Sequence, residues 1–195
     1  MLPQSTLTIV APIQPAEAAM VALRKVLAEI GRDPAANPLV PFGELAGLHY
    51  GRFVILEGAF DPGSGRTVGS SLAFNCCVDG PADQFLQALA AKAGSGLCAV
   101  FQHCSGAPVP GGDGDLLAWL RRHRIPTQTF YVNSLGRTVP QILKEAQLRE
   151  RIEGYLDRVE GSTTAATSPA TVRKAIQQFR SEEHTSELQS RQYLV

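Results

Sequence analysis

The chain has 195 residues, with 18 Lys and Arg against 18 Asp and Glu, a formal net charge of zero and a sequence pI near 6.9. That balance argues against a nucleic-acid binder, which would need a basic stripe to neutralise phosphates, and against an electrostatic membrane anchor. The length suits one domain with a real hydrophobic core.

Residues 1–6 hold no basic run leading into an apolar stretch, and no segment reaches the ~18 apolar residues of a membrane span. Cys76, Cys77, Cys98 and Cys104 form no CxxC pair, and a chain of this size needs no disulfide staples. A reduced, cytoplasmic setting is expected, with no nucleic-acid or membrane partner in this stretch.

The apolar, β-branched run at 7–13 predicts a first strand. Pro15 suits the first turn of a helix, and Met20, Leu23, Val26, Leu27 and Ile30 recur at three- and four-residue spacing until Gly31 stops it. Residues 32–47, rich in Pro, Gly and Asn, form a long connection of the kind that often carries function. Strand-like runs at 48–57 and 71–78 flank the turn formers of 61–66 and read as a hairpin.

A helix is expected over 81–93, with Phe85, Leu86 and Leu89 on one face and Gly94 as its terminator. Helical character continues over 97–103, and the Gly/Pro-rich run 106–114 is a loop. A short helix over 115–123 precedes a strand over 127–133. A last strong helix opens at Thr138, with Gln141 completing a capping box and Ile142, Leu143, Ala146, Ile152, Tyr155 and Leu156 on its apolar side. A linker at 159–167 leads into a further helix, 168–179, which breaks off in mid-pattern.

Strand, helix, strand, strand, helix, strand is the split βαβ order of a ferredoxin-like α+β domain: a four-stranded antiparallel sheet with helices on one face. The domain is expected over 1–158, with C-terminal helices beyond it. The other sheet face calls for a cover. Self-association, or pairing with a second domain missing from this chain, is therefore expected.

Candidate chemistry lies at strand and helix ends. Arg52, between apolar neighbours in a strand, is a ligand for a carboxylate or phosphate, or else the partner of an acid such as Asp79. Asp79 stands at the carboxyl end of a strand, where open sheets place ligands, in an Asp79-Gly80-Pro81 run that is also ordinary punctuation. Cys76 and Cys77 read as small core residues. His103 and Cys104 precede the Gly/Pro loop, and imidazole is a good haem-iron ligand, although His49 and His123 complete no zinc spacing. Tyr131, Asn133 and Arg137 bracket the last strand and a helix start, which suits an anionic ligand. No P-loop, GxGxxG, GxSxG or HExxH pattern occurs.

The segments 48–56, 75–80, 96–104, 130–133 and 136–139 are similar to a family of uncharacterised bacterial proteins. That resemblance covers about residues 7–158 and implies a longer protein with a second, related unit, of which this chain is a truncated form. The layout also resembles dimeric α/β-barrel proteins, including dye-decolorising peroxidases and small monooxygenases. In the peroxidase Gly-x-x-Asp-Gly motif Asp79 and Gly80 match, while Cys76 stands in place of the first glycine. This likeness implies an oxidoreductase, either haem-dependent with His103 as the candidate haem ligand or cofactor-free; Asp79, His103 and Arg137, near the expected sheet and helix ends, are the candidate catalytic residues. Residues 180–195 resemble a translated sequencing adapter, so they are expected to be non-native and to pack poorly.

Overall fold

The computed structural model describes residues 4–108 and 114–162, and isolated positions between 170 and 177. It divides into two compact units, Met1–Pro140 and Gln141–Val195. The first holds strands β1 (Gln4–Pro12), β2 (Leu48–Leu56), β3 (Ala59–Asp61), β4 (Arg66–Val68), β5 (Ser71–Asp79) and β6 (Arg124–Ile125). Its helices are α1 (Glu17–Arg32), α2 (Ala82–Phe101) and α3 (Leu116–Arg122), with a short 3-10 turn at Phe42–Glu44. A fourth helix, α4 (Val139–Ser162), begins in this unit and runs on into the second. The fold class is α+β.

Four strands make one antiparallel sheet in the order β2-β5-β1-β6. The connection from β1 to β2 carries α1, and that from β5 to β6 carries α2 and α3. Alternation sorts the side chains. Leu7, Ile9 and Ala11 of β1 and Leu72, Phe74, Cys76 and Val78 of β5 are buried in the core, the period-2 outcome of strands with one covered face. Leu23 and Ile30 of α1, Phe85, Leu86 and Phe101 of α2, and Trp119 and Leu120 of α3 close that face. Phe53 and Phe74 lie 4.9 Å apart between ring centroids, and Phe101 and Trp119 5.3 Å apart, within the range of favourable aromatic pairs.

Helix α2 continues past Gly94, the expected stop. It kinks at Ala93 (φ −120°, ψ 20°) and resumes through Leu97, Val100 and Phe101. The kink adjoins Gly94-Ser95-Gly96, a small-residue run that tolerates bending. A Cβ on Gly96 would stand 1.8 Å from the Leu39 carbonyl oxygen, so the 32–47 connection packs on bare helix backbone.

Three expectations are corrected. The strand placed at 127–133 does not form: β6 is Arg124–Ile125, pairing with Ile9 and Thr8. Pro126 offers no N–H to extend that ladder, and beyond it the chain keeps a side-chain link, Thr127 Oγ1 to Thr6 Oγ1 at 2.6 Å. The turn formers at 61–66 sit at the end of a second ribbon, in which β3 and β4 pair from Ala59↔Val68 to Asp61↔Arg66. Residues 159–162, expected in a linker, belong to α4. The rest of that linker, and 180–195, lie outside the described residues. Among the described residues no helix is long and apolar enough to cross a membrane.

Candidate functional site

The polar cluster of the first unit forms where β5 ends. In the β2–β5 ladder Arg52 faces Asn75 and Tyr50 faces Cys77. Regular pairing continued one step would set His49 opposite Val78, a fully buried position, and an imidazole there would lose its hydrogen bonds to water. A bulge intervenes: Leu48 takes the place opposite Val78, and His49 becomes the extra residue. Bulges commonly re-aim one side chain in this way. The core thus gains a leucine, and the imidazole turns to polar partners.

Those partners are Asp79 and Gln4, the last register pair of β1 and β5. His49 Nε2 lies 2.8 Å from Asp79 Oδ1 and 3.0 Å from Gln4 Nε2. The other Asp79 oxygen, Oδ2, accepts the backbone N–H of Val139 at 2.8 Å. Gln4 Nε2 also donates to the Arg137 carbonyl at 3.1 Å. The side chains of His49 and Asp79 are 14% and 6% exposed. Gly47 permits the approach: its φ of +75° suits glycine, a Cβ there would come within 3.2 Å of Asp79 Cβ, and its carbonyl accepts the Asp79 N–H at 2.8 Å.

The two contacts at His49 Nε2 compete. An amide nitrogen only donates, so Gln4 favours a bare Nε2, whereas an ionised carboxylate only accepts and favours Nε2–H. Charge-assisted hydrogen bonds are roughly twice as strong as neutral ones, so Asp79 wins and Gln4 spends its donor on Arg137. In the neutral imidazole the proton therefore sits on Nε2, and Nδ1 carries the lone pair. Asp79 also lies at the first N–H of α4, where the helix dipole favours an anion.

A cleft of about 290 Å³ opens beside this dyad, lined by Pro34, Ala35, Phe42, Gly43, Leu48, His49, Tyr50 and Gly51. Its outer wall comes from the 32–47 connection, fixed by Phe42 N to Pro34 O (3.1 Å) and Gly43 N to Ala35 O (2.9 Å).

The other sequence candidates separate. Arg52 is exposed and faces Asn75, four residues before Asp79, and among the described residues the ion pair of Asp79 is with His49 and not with Arg52. Tyr131 donates to Asn133 Oδ1 at 3.0 Å, and both are exposed. Arg137 joins the cluster through its carbonyl, and the Val139 N–H next to it already has a carboxylate acceptor.

His103 lies at the other end of the sheet: its carbonyl accepts the Gln14 N–H, ten residues along the chain from Gln4, which pairs with Asp79. At ~3.3 Å per strand residue that is about 30 Å. Burial lowers the His103 pKa, and its Nε2 is buried with no hydrogen-bond partner among the described residues. A haem site that needs Asp79 and His103 around one pocket does not fit this geometry. The Cys76 and Cys104 thiols are pushed up to about 12 by burial, which suits inert core residues rather than nucleophiles. Among the described residues no group of three or more His, Cys, Asp or Glu side chains is placed to hold a metal ion.

Sequence reasoning found Asp79 and missed His49 and Gln4. A signal existed: antiparallel pairing of 48–57 with 71–78 brings the start of one run beside the end of the other. The chain matches no known protein-family model, no curated protein and no solved structure.

Proposed function

We propose that the protein is a binding and assembly module: one ferredoxin-like unit whose sheet pairs with that of a second unit to build a tandem or dimeric α/β barrel. The observation that carries this is the second face of the sheet. On the side away from the core, Tyr50, Val54 and Leu56 of β2 are 48%, 38% and 47% exposed, and Ile125 of β6 is 47% exposed. Apolar side chains at both edges of one sheet face call for a partner surface. The order β2-β5-β1-β6, with a helical crossover between β1 and β2 and another between β5 and β6, supports the ferredoxin-like reading.

Light scattering on the full chain tests the proposal. A dimer is expected, and Val54→Glu with Leu56→Glu should convert it to a monomer of unchanged fold, since both side chains face outward. A wild-type chain that stays monomeric at about 100 μM, a weak affinity on the usual scale, would overturn it.

A further inference from the structure

We propose that the cleft beside β2 is a ligand site in which His49 Nδ1 accepts a hydrogen bond from a small, uncharged, planar molecule bearing an acidic O–H or N–H, of the phenol or azole class. Three observations carry this.

The first is the state of the nitrogen. Among the described residues nothing hydrogen-bonds His49 Nδ1. Nor is it a sealed, orphaned atom, since His103 Nε2 is the buried side-chain nitrogen or oxygen without a partner there. Nδ1 is thus not sealed off in a side chain that is 14% exposed, and His49 lines the cleft. With Nε2 committed to Asp79, Nδ1 presents a fixed acceptor. A carboxylate that holds one imidazole nitrogen so that the other can work is the orienting half of many binding and proton-transfer sites.

The second is the lining. It contains no Lys, Arg, Asp or Glu, so a ligand's charge would find no counter-ion, and burying it uncompensated is costly. This separates the cleft from the anion chemistry suggested by Arg52 and Arg137. What the lining offers instead is apolar surface from Phe42, Leu48 and Pro34, with the neutral polar side chains of Tyr50 and His49, and His49 Nδ1 is an acceptor that rewards a donor.

The third is shape. A volume of about 290 Å³ lies at the low end for ligand pockets, which limits the guest to one or two rings. A Cβ on Gly51 would stand 3.1 Å from Phe42 Cε1, so the Phe42 ring rests directly on the strand backbone. A fixed aromatic ring suits a flat guest.

Long-range 1H–15N NMR of the full-length protein tests this with phenol as the probe and anisole, which lacks the O–H, as the control. In the free protein His49 should appear as the Nε2–H tautomer. Phenol should shift its Nδ1 resonance together with Phe42 and Tyr50 signals, and anisole should bind at least tenfold more weakly. His49→Phe, which keeps an aromatic ring, should erase that preference. A proton on Nδ1, equal binding of the two probes, or no Nδ1 shift with phenol at about 20 mM would overturn the proposal. If His49→Phe does not fold, the wild-type comparison decides alone. The His49 and Phe42 signals belong to residues outside the proposed pairing face, so the assembly reading can fail while this one stands, and the reverse.

Discussion

Replacing Asp79 with alanine removes two hydrogen bonds at once, and the structure fixes what each loss costs. The Val139 N–H loses an acceptor at 2.8 Å, a helix-capping contact worth about 0.5–2 kcal/mol. His49 Nε2–H loses a charged acceptor at 2.8 Å, a hydrogen bond worth about 1.5–3 kcal/mol. With the Asp79 side chain only 6% exposed, water does not readily replace either partner. The sum is not strictly additive, and a loss of about 3 kcal/mol is expected. At ~2–4 °C per kcal/mol for a domain of this size, the melting temperature should fall by about 6–12 °C.

Urea titration reads the same loss as a lower midpoint at unchanged slope. Asp79→Asn keeps one acceptor and should lose about half as much. A double-mutant cycle with His49→Ala should return a coupling of at least ~0.5 kcal/mol. Asp79→Ala within ~0.5 kcal/mol of wild type, or additive single losses, would refute the view that this carboxylate organises the cluster.

Gly96→Ala forces a Cβ to 1.8 Å from the Leu39 carbonyl oxygen, and this overpacking should outweigh the ~0.5–1 kcal/mol that alanine gains in a helix; Gly94→Ala, with nothing within 4 Å, should be neutral or stabilising. Comparing the two by thermal melt isolates the contact. His103 gives a pH dependence. Burial lowers its folded-state pKa, so its contribution is intact above the unfolded value of about 6.5 and is lost as pH falls from there through the folded value. His103→Gln should flatten that decline in melts taken across the window. Deleting residues 180–195 should leave the melting temperature unchanged, and a drop beyond measurement error would show that the adapter-like tail contributes to stability.

Much of the fold was legible because one-sided burial writes itself into sequence. The alternation of 71–78 and the three- and four-residue spacing of Leu23, Val26, Leu27 and Ile30 both follow from one covered sheet face. The short last strand was not legible for an equally physical reason. Arg124–Ile125 is two residues long, and a period of two leaves no pattern in two residues. The polar–aromatic alternation that followed at 127–133 drew the strand assignment to a segment whose ladder Pro126 had already cut short. The extension of α2 was hidden because Gly94 looks like a stop, whereas the helix bends at Ala93 and resumes, with Gly96 letting it pass beneath Leu39.

The site was half legible, and the bulge explains which half. Asp79 could be read from its place at a strand end, which one sequence segment specifies. His49 could not, because its direction depends on a register shift that only the pairing of two strands creates. Strict alternation groups His49 with Gly51, Phe53 and Ile55, toward the core. The chain instead resolves a conflict between two adjacent residues: Leu48 gains by burial opposite Val78, and His49 gains by reaching Asp79, so inserting one unpaired residue satisfies both. That preference for leucine over histidine in the core leaves an imidazole with one nitrogen tied to a carboxylate and the other facing a cleft. The chemistry proposed for the cleft thus arises from the same packing choice that completes the sheet's core.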